Sequence, residues 1–331
     1  MNIYNNIKIY IYNPHNSIGL RKDSLLFNKY IRNSKIIKNS SEITFFPYIL
    51  LLLENTDIIE ENYLQLSLYN ILMVNYDLFN TNDLRKKYID CYLCKNIATH
   101  EIMKVLIENM IINSARIIYT NFSTLPNNLY DKNIEKNYKL FLHIAGRSSY
   151  KNTNLILNTW NNYKLPPLII ICFDRCFERL LIKDVEYLKN KNITLINEKI
   201  SEEEINKIKN KVGFHLCPSM REGYGHYINE CRMVKSVCIT IDIAPYNELI
   251  DEESGFLIKS DKVIVNKDMS FQVSASFKEE ELARKIGEIM SVDVKRLVEM
   301  GENAYNKYLS DEKYFGEIMG KIREIINHTL E

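Results

Sequence analysis

The sequence lacks the features that would place it in a membrane or in a secretory pathway. No apolar run approaches the roughly 20 residues that a membrane-spanning helix requires, and the longest, residues 45–53, is interrupted by Pro47. The N-terminus begins polar, without the basic region and small-residue cleavage site of a signal peptide. We therefore expect the chain to stay in the cytoplasm, where it is made.

The chain also has little net charge and no disulfide pattern. Its 43 basic and 42 acidic side chains leave a formal charge of +1, which argues against a general nucleic-acid-binding protein. Its seven cysteines are scattered and odd in number, as is typical of reduced thiols in the cytosol. Cys91 and Cys94 form a C-x-x-C pair. Because Cys91 lies inside an apolar run and no second ligand pair accompanies it, we favour a structural role over zinc or redox chemistry.

The length and composition allow two folded domains. A chain of 331 residues exceeds the size at which single cores stop growing, roughly 250 to 300 residues. With 46% hydrophobic and 26% charged residues, it has the composition of a folded globular protein. It contains no internal repeat and no low-complexity tract.

Short apolar runs alternate with helical patterns through the first part of the chain, which indicates parallel α/β units. The strands predicted here are residues 7–12, 43–53, 71–76, 88–93 and 116–119. The predicted helices are residues 23–37 and 98–112. The stretch at 121–137 is rich in Asn and Asp and has no periodic pattern. We therefore expect a first domain at 1–125 and an interdomain linker at 126–138.

A second series of alternating elements follows the linker. Its predicted strands are residues 140–145, 168–173, 193–196, 214–217 and 237–241. Its predicted helices are residues 154–160, 201–211 and 227–234. From residue 277 onward the pattern is nearly all helical, so we expect a second domain at 139–300 and a terminal helix at 301–331 that packs back across the domain junction. The sequence thus predicts an α/β protein with two doubly wound parallel sheets and a helical tail.

The loop after the strand at 140–145 carries two cations beside a glycine, namely Gly146, Arg147 and Lys151. Ligands bind outside the carboxyl ends of the strands in open parallel sheets, so this loop is a candidate site. The glycine permits a sharp turn, and the cations suit a diphosphate leaving group. The loop is not a P-loop, because the second glycine and the Ser or Thr after the lysine are missing. The alternative is a solvated basic loop without a function.

A second candidate loop follows the fourth strand of this series and contains Glu222 and Glu230. If the whole segment were helical, the two carboxylates would lie about 80° apart around the axis and would not converge. If the helix instead begins near His226, Glu222 lies at the mouth of the loop and Glu230 one turn inside. The helix N-terminus then suits a pyrophosphate, and the carboxylates suit sugar hydroxyls.

These residues in this order resemble the nucleotide-sugar site of retaining family 4 (group 1) glycosyltransferases. The resemblance rests on Gly146-Arg147, on Lys151 and on the spacing Glu222-x7-Glu230. It extends over about residues 139–260 through the later segments Ala244-Pro245-Tyr246-Asn247-Glu248 and Gly255-Phe256-Leu257. The family implies the GT-B fold, in which two Rossmann-like domains face a central cleft.

The resemblance also implies an activity and a role for each matched residue. The activity is that of a hexosyltransferase, which moves a sugar from a UDP- or GDP-linked donor, with retention of anomeric configuration, to a glycan, lipid or protein-linked acceptor. Arg147 and Lys151 would contact the donor diphosphate, Glu222 the transferred hexose, and Glu230 the ribose. Near the hexose and phosphates would lie the backbone of Gly223, Tyr224, Gly225 and His226. No Asp-x-Asp motif occurs in the chain, so we expect no divalent metal and no cofactor.

Three further positions follow from the layout of the family. A glycine-containing loop after the first strand would approach the donor phosphate, which points to Gly19, and the alternative is an ordinary turn. Backbone near Ile200 would contact the base. A catalytic histidine near the acceptor would be His100, with Lys95 as another candidate in the same half, and the alternative is a solvated histidine on a helix.

The helix predicted after Gly19 is unusually basic. Its cations are Arg21, Lys22, Lys29, Arg32, Lys35 and Lys38. Such a helix would meet an anionic membrane surface or an acidic acceptor, giving weak peripheral association with a membrane. We favour the alternative, a helix that packs on the core and exposes a solvated basic face.

Two other functions fit parts of the sequence. A non-catalytic sugar-nucleotide-binding module would keep the donor site without turnover. A nicotinamide-dependent oxidoreductase or epimerase would require G-x-G-x-x-G after the first strand, where Gly19 stands alone. We therefore predict a glycosyltransferase, with the binding module as the alternative.

Overall fold

The computed structural model describes residues 7–15, 17–75, 79–125, 129–266 and 272–330. The chain forms two compact units. The first comprises Met1–Pro126, Asn266–Gln272 and Leu309–Glu331, and the second comprises Asn127–Val265 and Val273–Tyr308. Two sequence predictions fall partly outside the described residues, namely the end of the strand at 71–76 and the start of the linker at 126–138.

A six-stranded parallel sheet forms the centre of the first unit. Its strands are β1 (Lys8–Tyr12), β2 (Ser34–Ile37), β3 (Tyr48–Glu54), β4 (Tyr69–Val74), β5 (Cys91–Cys94) and β6 (Arg116–Tyr119). Its helices are α1 (Ile18–Tyr30), α2 (Glu61–Leu66) and α3 (Ile97–Glu108). The apolar run of β3 is buried on both faces, as expected of an internal strand in a parallel sheet.

The strands of this sheet lie in the order β2-β1-β3-β4-β5-β6. From β1 the chain crosses to β2 on one side, and every later strand is added on the other side. Connections therefore leave β1 and β3 in opposite directions. The carboxyl ends of these two strands border a topological switch point, which is where open α/β sheets bind ligands.

The helix predicted at residues 23–37 is wrong at its end, because Ser34–Ile37 is the edge strand β2. Asn33 precedes this strand with φ of 52°, a left-handed conformation that asparagine tolerates and that turns the chain away from α1. Three of the cations predicted for this helix therefore lie outside it, namely Arg32, Lys35 and Lys38. The strand predicted at residues 43–53 is also shorter than predicted. It begins after Pro47, which has no N–H to donate to a neighbouring strand.

The start of α1 corrects the expectation of a glycine loop after β1. The Leu20 N–H donates to the Ser17 hydroxyl at 3.2 Å, so Ser17 caps the helix and Ile18 is its first residue. Gly19 therefore lies in the first turn of a helix rather than in a loop. The other end of α1 packs into the core, where Phe27 contacts Phe122 and Phe315 at ring-centroid distances of 5.8 and 5.6 Å.

A second six-stranded parallel sheet forms the centre of the second unit. Its strands are β7 (Asn137–Gly146), β8 (Leu168–Cys172), β9 (Ile193–Ile196), β10 (Val212–Leu216), β11 (Val237–Ile241) and β12 (Gly255–Ile258). They lie in the order β12-β11-β10-β7-β8-β9, so the switch point falls between β7 and β10. The predictions of β9 and β11 are confirmed to the residue. A separate two-stranded sheet, which the sequence patterns do not predict, follows as β13 (Lys262–Asn266) and β14 (Gln272–Ser276).

Helices flank the second sheet and continue to the end of the chain. Those before the terminal segment are α4 (Thr153–Asn162), α5 (Arg175–Glu178), α6 (Val185–Lys189), α7 (Glu202–Lys211), α8 (His226–Met233), α9 (Tyr246–Leu249) and α10 (Glu279–Met290). The last two are α11 (Val294–Gly320) and α12 (Ile322–Leu330), and the chain from Leu309 onward belongs to the first unit. Within the described residues, no helix combines the length and apolar character needed to cross a membrane.

Candidate functional site

The two candidate loops meet at the carboxyl end of the second sheet, at its switch point. One loop follows β7 and the other follows β10, the strand paired with it. The Met220 N–H donates to the Tyr150 carbonyl at 2.7 Å. The side-chain amide of Asn152 donates to the Pro218 carbonyl at 2.8 Å. These bonds hold the two loops against each other.

Two glycines shape these loops through left-handed backbone. Gly146 ends β7 with φ of 58°, and Gly225 precedes α8 with φ of 103°. A residue with a Cβ is disfavoured in such conformations, and a Cβ at Gly225 would lie 3.3 Å from Cδ1 of Ile228. The turn at Gly225 makes His226 the first residue of α8, which confirms the second of the two arrangements that the sequence left open.

Lys151 and Glu222 form an ion pair between the two loops. The Lys151 Nζ lies 3.3 Å from Oε1 of Glu222, and the two side chains are 14% and 24% exposed. The Ser219 hydroxyl donates to the same carboxylate oxygen at 2.9 Å. A cation and a carboxylate thus lie side by side at the switch point, both open to a ligand.

Arg147 forms a different ion pair. Its Nε lies 2.9 Å from Oδ2 of Asp174, and the two side chains are 67% and 54% exposed. Asp174 follows β8, the strand on the other side of β7, and has φ of 51°. The sequence does not identify Asp174 as a partner, because the neighbour of β7 on that side depends on the strand order.

Glu230 lies one turn inside α8 and pairs with a residue of α7. Its Oε2 lies 2.7 Å from the Lys209 Nζ, and the two side chains are 14% and 8% exposed. Among the described residues, Lys151 and Glu222 are the only two of the four predicted charged groups that form an ion pair with each other. The structure brings both loops together but gives Arg147 and Glu230 partners of their own.

The first turn of α8 brings aromatic groups to the same loop. The rings of Tyr224 and His226 lie 5.4 Å apart in an edge-to-face arrangement. Tyr224 is buried, and its hydroxyl accepts the side-chain amide of Asn229 at 2.5 Å. The positive end of the α8 dipole lies at this turn, beside Gly223 and Gly225, and favours an anion there.

A buried histidine joins the two strands of the switch point. The Leu216 carbonyl can only accept, so His143 Nδ1 donates to it at 2.9 Å, and Nε2 lies 3.0 Å from the Thr153 hydroxyl. Burial lowers the pKa of His143 to about 4, and the nearby Lys151 cation contributes to that shift. The imidazole is therefore neutral at pH 7 and accepts the hydrogen of Thr153.

The remaining predicted residues lie elsewhere. Ile200 is partly buried and packs against a cluster of the second unit formed by Leu142, Ile171 and Val212. His100 lies in the first turns of α3, where Nδ1 is 3.1 Å from Glu101 and the ring is 6.2 Å from that of Tyr119. Lys95 is buried in the first unit, with Nζ 2.9 Å from Oδ2 of Asp23.

The described part of the chain contains no cluster of three His, Cys, Asp or Glu side chains that could hold a metal ion. All seven cysteines are buried free thiols, and burial raises the pKa of Cys91 to about 12. Cys91 and Cys94 are the first and last residues of β5, so the C-x-x-C pair is part of the sheet.

Comparison with known proteins identifies the fold. No protein-family model matches the chain, and no curated protein matches it in sequence. Among solved structures, a glycosyltransferase from Rickettsia africae superposes with a TM-score of 0.72 at 13% identity, over 98% of this chain and 99% of that one. The fold is GT-B.

Two further GT-B structures were solved with a nucleotide and a sugar. Anabaena Alr3699/HepE, in complex with UDP and glucose, superposes with a TM-score of 0.59 at 13% identity over 97% of this chain and 100% of that one. The pneumococcal O-GlcNAc transferase GtfA, in complex with UDP and GlcNAc, superposes with a TM-score of 0.62 at 14% identity over 85% of this chain. The chain spans 57% of the length of GtfA.

Proposed function

We propose that the chain is a retaining hexosyltransferase with a UDP- or GDP-linked donor and a glycan, lipid or protein-linked acceptor. The observation that carries the proposal is the pairing of Lys151 with Glu222 at 3.3 Å, at the switch point of a GT-B unit. A nucleotide sugar presents a phosphate and a hydroxyl-bearing ring on either side of one bond. A cation and a carboxylate held side by side match that order of groups.

Each group of the site has a role in this proposal. Lys151, Arg147 and the positive end of α8 bind the diphosphate, and to do so Lys151 and Arg147 exchange a carboxylate partner for phosphate oxygens. Glu222 accepts hydrogen bonds from hexose hydroxyls, and Glu230 from the ribose. The Arg147–Asp174 pair is exposed and therefore weakly held, and the Lys151–Glu222 pair is partly exposed, so each is accessible to a ligand.

The proposed chemical step conserves charge and protons. The bond between the anomeric carbon and the diphosphate oxygen breaks, and the acceptor hydroxyl oxygen bonds to the anomeric carbon on the face that the diphosphate leaves. The hydroxyl proton passes to the departing diphosphate. Lys151 and Arg147 stabilise the negative charge that grows on the leaving group, so we expect transfer to continue in the presence of a chelator.

The substitution Glu222→Gln tests the proposal. We expect kcat/KM to fall about 10- to 100-fold, since a lost hydrogen bond to a charged group contributes about 1.5–3 kcal/mol. Donors are first identified by the rise in melting temperature with UDP, GDP and their sugars, because ligands that bind the folded state stabilise it. Transfer is then measured as release of nucleoside diphosphate across a panel of acceptors.

The matched control is Glu203→Gln, which changes a 78% exposed carboxylate on α7 of the same unit. The control is expected to transfer at the wild-type rate. Full activity in Glu222→Gln would remove Glu222 from the site. Donor binding without release of nucleoside diphosphate, with every acceptor, would favour the non-catalytic binding module instead.

Weak membrane association is the remaining part of the proposal. On α1 it rests on Arg21, Lys22 and Lys29, because the other three predicted cations lie outside the helix. We expect at most partial, salt-sensitive sedimentation with vesicles that contain anionic lipid and none with neutral vesicles. Failure to sediment with anionic vesicles at low salt would remove the membrane from the list of partners.

A further inference from the structure

We propose that Tyr227 is a positioning residue that holds Lys151 and Glu222 side by side. The inference rests on the proposed function and deepens it. Tyr227 is the second residue of α8 and is 9% exposed. Its ring contacts the cation of the pair, and its hydroxyl is linked to the carboxylate through one other side chain.

The ring of Tyr227 lies directly under the Lys151 ammonium. The Nζ is 3.3 Å from the ring centroid, which places the cation over the negative face of the aromatic ring. Lys151 has a long flexible side chain, and a loop alone would leave its ammonium free to move. Contact with a buried ring restricts it to the position from which it also reaches Glu222.

The hydroxyl of Tyr227 positions the carboxylate through Ser219. The Ser219 N–H donates to the Tyr227 hydroxyl at 3.0 Å, and the two hydroxyl oxygens lie 2.5 Å apart. Ser219 has one hydroxyl hydrogen, which it donates to Glu222 at 2.9 Å, so Tyr227 holds Ser219 in place by accepting its backbone N–H.

The Tyr227 hydroxyl donates its own hydrogen to the Cys217 carbonyl at 2.5 Å, and that carbonyl also accepts the hydroxyl of Thr240 at 2.8 Å. The Tyr227 hydroxyl is therefore fixed between the Cys217 carbonyl and the Ser219 N–H. Burial and the nearby Glu222 carboxylate raise the pKa of Tyr227 well above its ordinary value. The hydroxyl therefore stays protonated and keeps its hydrogen for the bond to Cys217.

The two halves of Tyr227 can be tested separately. Tyr227→Phe keeps the ring under Lys151 and removes the hydroxyl that holds Ser219. Ser219→Ala removes the hydroxyl that donates to Glu222. Tyr227→Leu removes both ring and hydroxyl. The control Tyr138→Phe removes a hydroxyl from the ring that contacts Phe214 near the start of β7, at the opposite end of the sheet.

Affinity is measured by calorimetry with UDP and UDP-glucose, or with GDP and GDP-mannose if wild type binds guanine nucleotides. For Tyr227→Phe and Ser219→Ala, we expect the diphosphate affinity to stay within about twofold, while the preference for the sugar-bearing donor falls about 5- to 10-fold with the loss of a hydrogen-bonded restraint on Glu222. For Tyr227→Leu, we expect the diphosphate affinity to fall about 10-fold as well. The double variant, Tyr227→Phe with Ser219→Ala, should lose no more of this preference than either single variant.

Equal losses for the diphosphate and for the sugar nucleotide in Tyr227→Phe and Ser219→Ala would overturn the proposal, because a structural defect makes no such distinction. Unchanged affinities in both would also overturn it. These two variants decide the question even if Tyr227→Leu does not fold. A wild-type chain that binds no nucleotide would instead contradict the proposed function itself, which is a separate result.

Discussion

The carboxyl edges of the two sheets differ in how they hold their lysines. In the first unit, Lys95 follows β5 and pairs with Asp23, and the two side chains are 3% and 2% exposed. In the second unit, Lys151 follows β7 and pairs with Glu222, and the two side chains are 14% and 24% exposed. Both pairs join a loop that follows a strand to another element of the same unit. The Lys95–Asp23 pair is closed off from solvent, and we call its edge the sealed edge. The Lys151–Glu222 pair is partly exposed, and we call its edge the open edge.

The difference separates a structural ion pair from one that can exchange its partner. When one charge of a sealed pair is removed, the folded state loses much of its stability, because the other charge remains buried without that counter-ion. An open pair contributes little to stability, and its members can bind a ligand. The Lys95 Nζ also lies 4.7 Å from the ring centroid of Phe122, and this ring shields the pair further from solvent. The sealed edge therefore stabilises its unit, and the open edge is available for chemistry.

The largest expected effect is that of Lys95→Ala. The substitution removes the cation that pairs with the buried Asp23 carboxylate, so we expect the free energy of unfolding to fall by about 3–5 kcal/mol. Denaturant unfolding measures this change. In the control Lys29→Ala, which breaks an exposed pair with Glu312 in the same unit, we expect a loss below about 1 kcal/mol.

A second variant shows whether the loss of stability comes from the missing charge or from any substitution at this position. Replacing both members, Lys95→Met with Asp23→Leu, should restore most of the lost stability, since an apolar pair needs no counter-ion. If Lys95→Ala were as stable as wild type and yet lost transfer activity, the conclusion that the sealed edge is structural would be contradicted. Lys95 would then act on the acceptor, as one sequence-based alternative for the first domain allowed.

How well the sequence predicted a strand depended on the apolar pattern of that strand. The strands β9 and β11 are apolar runs bounded by polar residues, and their limits are confirmed to the residue. The strand β2 reads Ser-Lys-Ile-Ile at the edge of its sheet, with one buried residue, and Lys35 is one of the cations of the predicted basic helix. With one buried residue among four, β2 shows neither the alternation nor the apolar run on which a strand prediction depends, whereas the edge strands β6 and β9 do and were predicted to the residue.

Contacts that depend on strand order were not predictable in the same way. The start of α8 at His226 followed from glycine and helix geometry, and it is confirmed. The partner of Arg147 is Asp174, which follows a neighbouring strand, and the contact of Lys151 with the ring of Tyr227 joins the loop after β7 to α8. Residue types and spacing along one loop carry no information about which other strand lies beside it.

The next largest effect is expected at the open edge, from Lys151→Ala. We expect the affinity for the nucleoside diphosphate to fall about 10- to 100-fold, because a charge-assisted bond to phosphate is lost. The free energy of unfolding should change by less than about 1 kcal/mol, since the pair is partly solvated. Calorimetric titration and denaturant unfolding measure the two quantities on one preparation.

The control for this variant is Lys207→Ala, which breaks an exposed pair with Glu203 on α7. It should change neither quantity. If Lys151→Ala bound the diphosphate as wild type does but unfolded several kcal/mol more easily, the two edges would not differ in kind. Lys151 would then be structural like Lys95, and the donor site would have to lie elsewhere.

The smallest effect concerns the histidine below the open edge, and it depends on pH. The pKa of His143 is lowered to about 4 in the folded chain, so between its unfolded value of about 6.5 and 4 the unfolded chain binds the extra proton. Stability is therefore unaffected by this group above pH 6.5 and falls as the pH drops below it. At about 1.4 kcal/mol per unit of pKa difference, we expect a loss of about 2 kcal/mol between pH 7 and pH 5.

The variant His143→Gln isolates this contribution, because glutamine can donate to the Leu216 carbonyl and accept from Thr153 but does not titrate. Its unfolding free energy should fall less than that of wild type over the same range, and the difference between the two curves is the part due to His143. Equal pH dependence in both proteins would mean that the imidazole keeps an ordinary pKa. It would then be accessible to water, and the strands β7 and β10 would not be sealed beneath the open edge as the hydrogen bonds of His143 require.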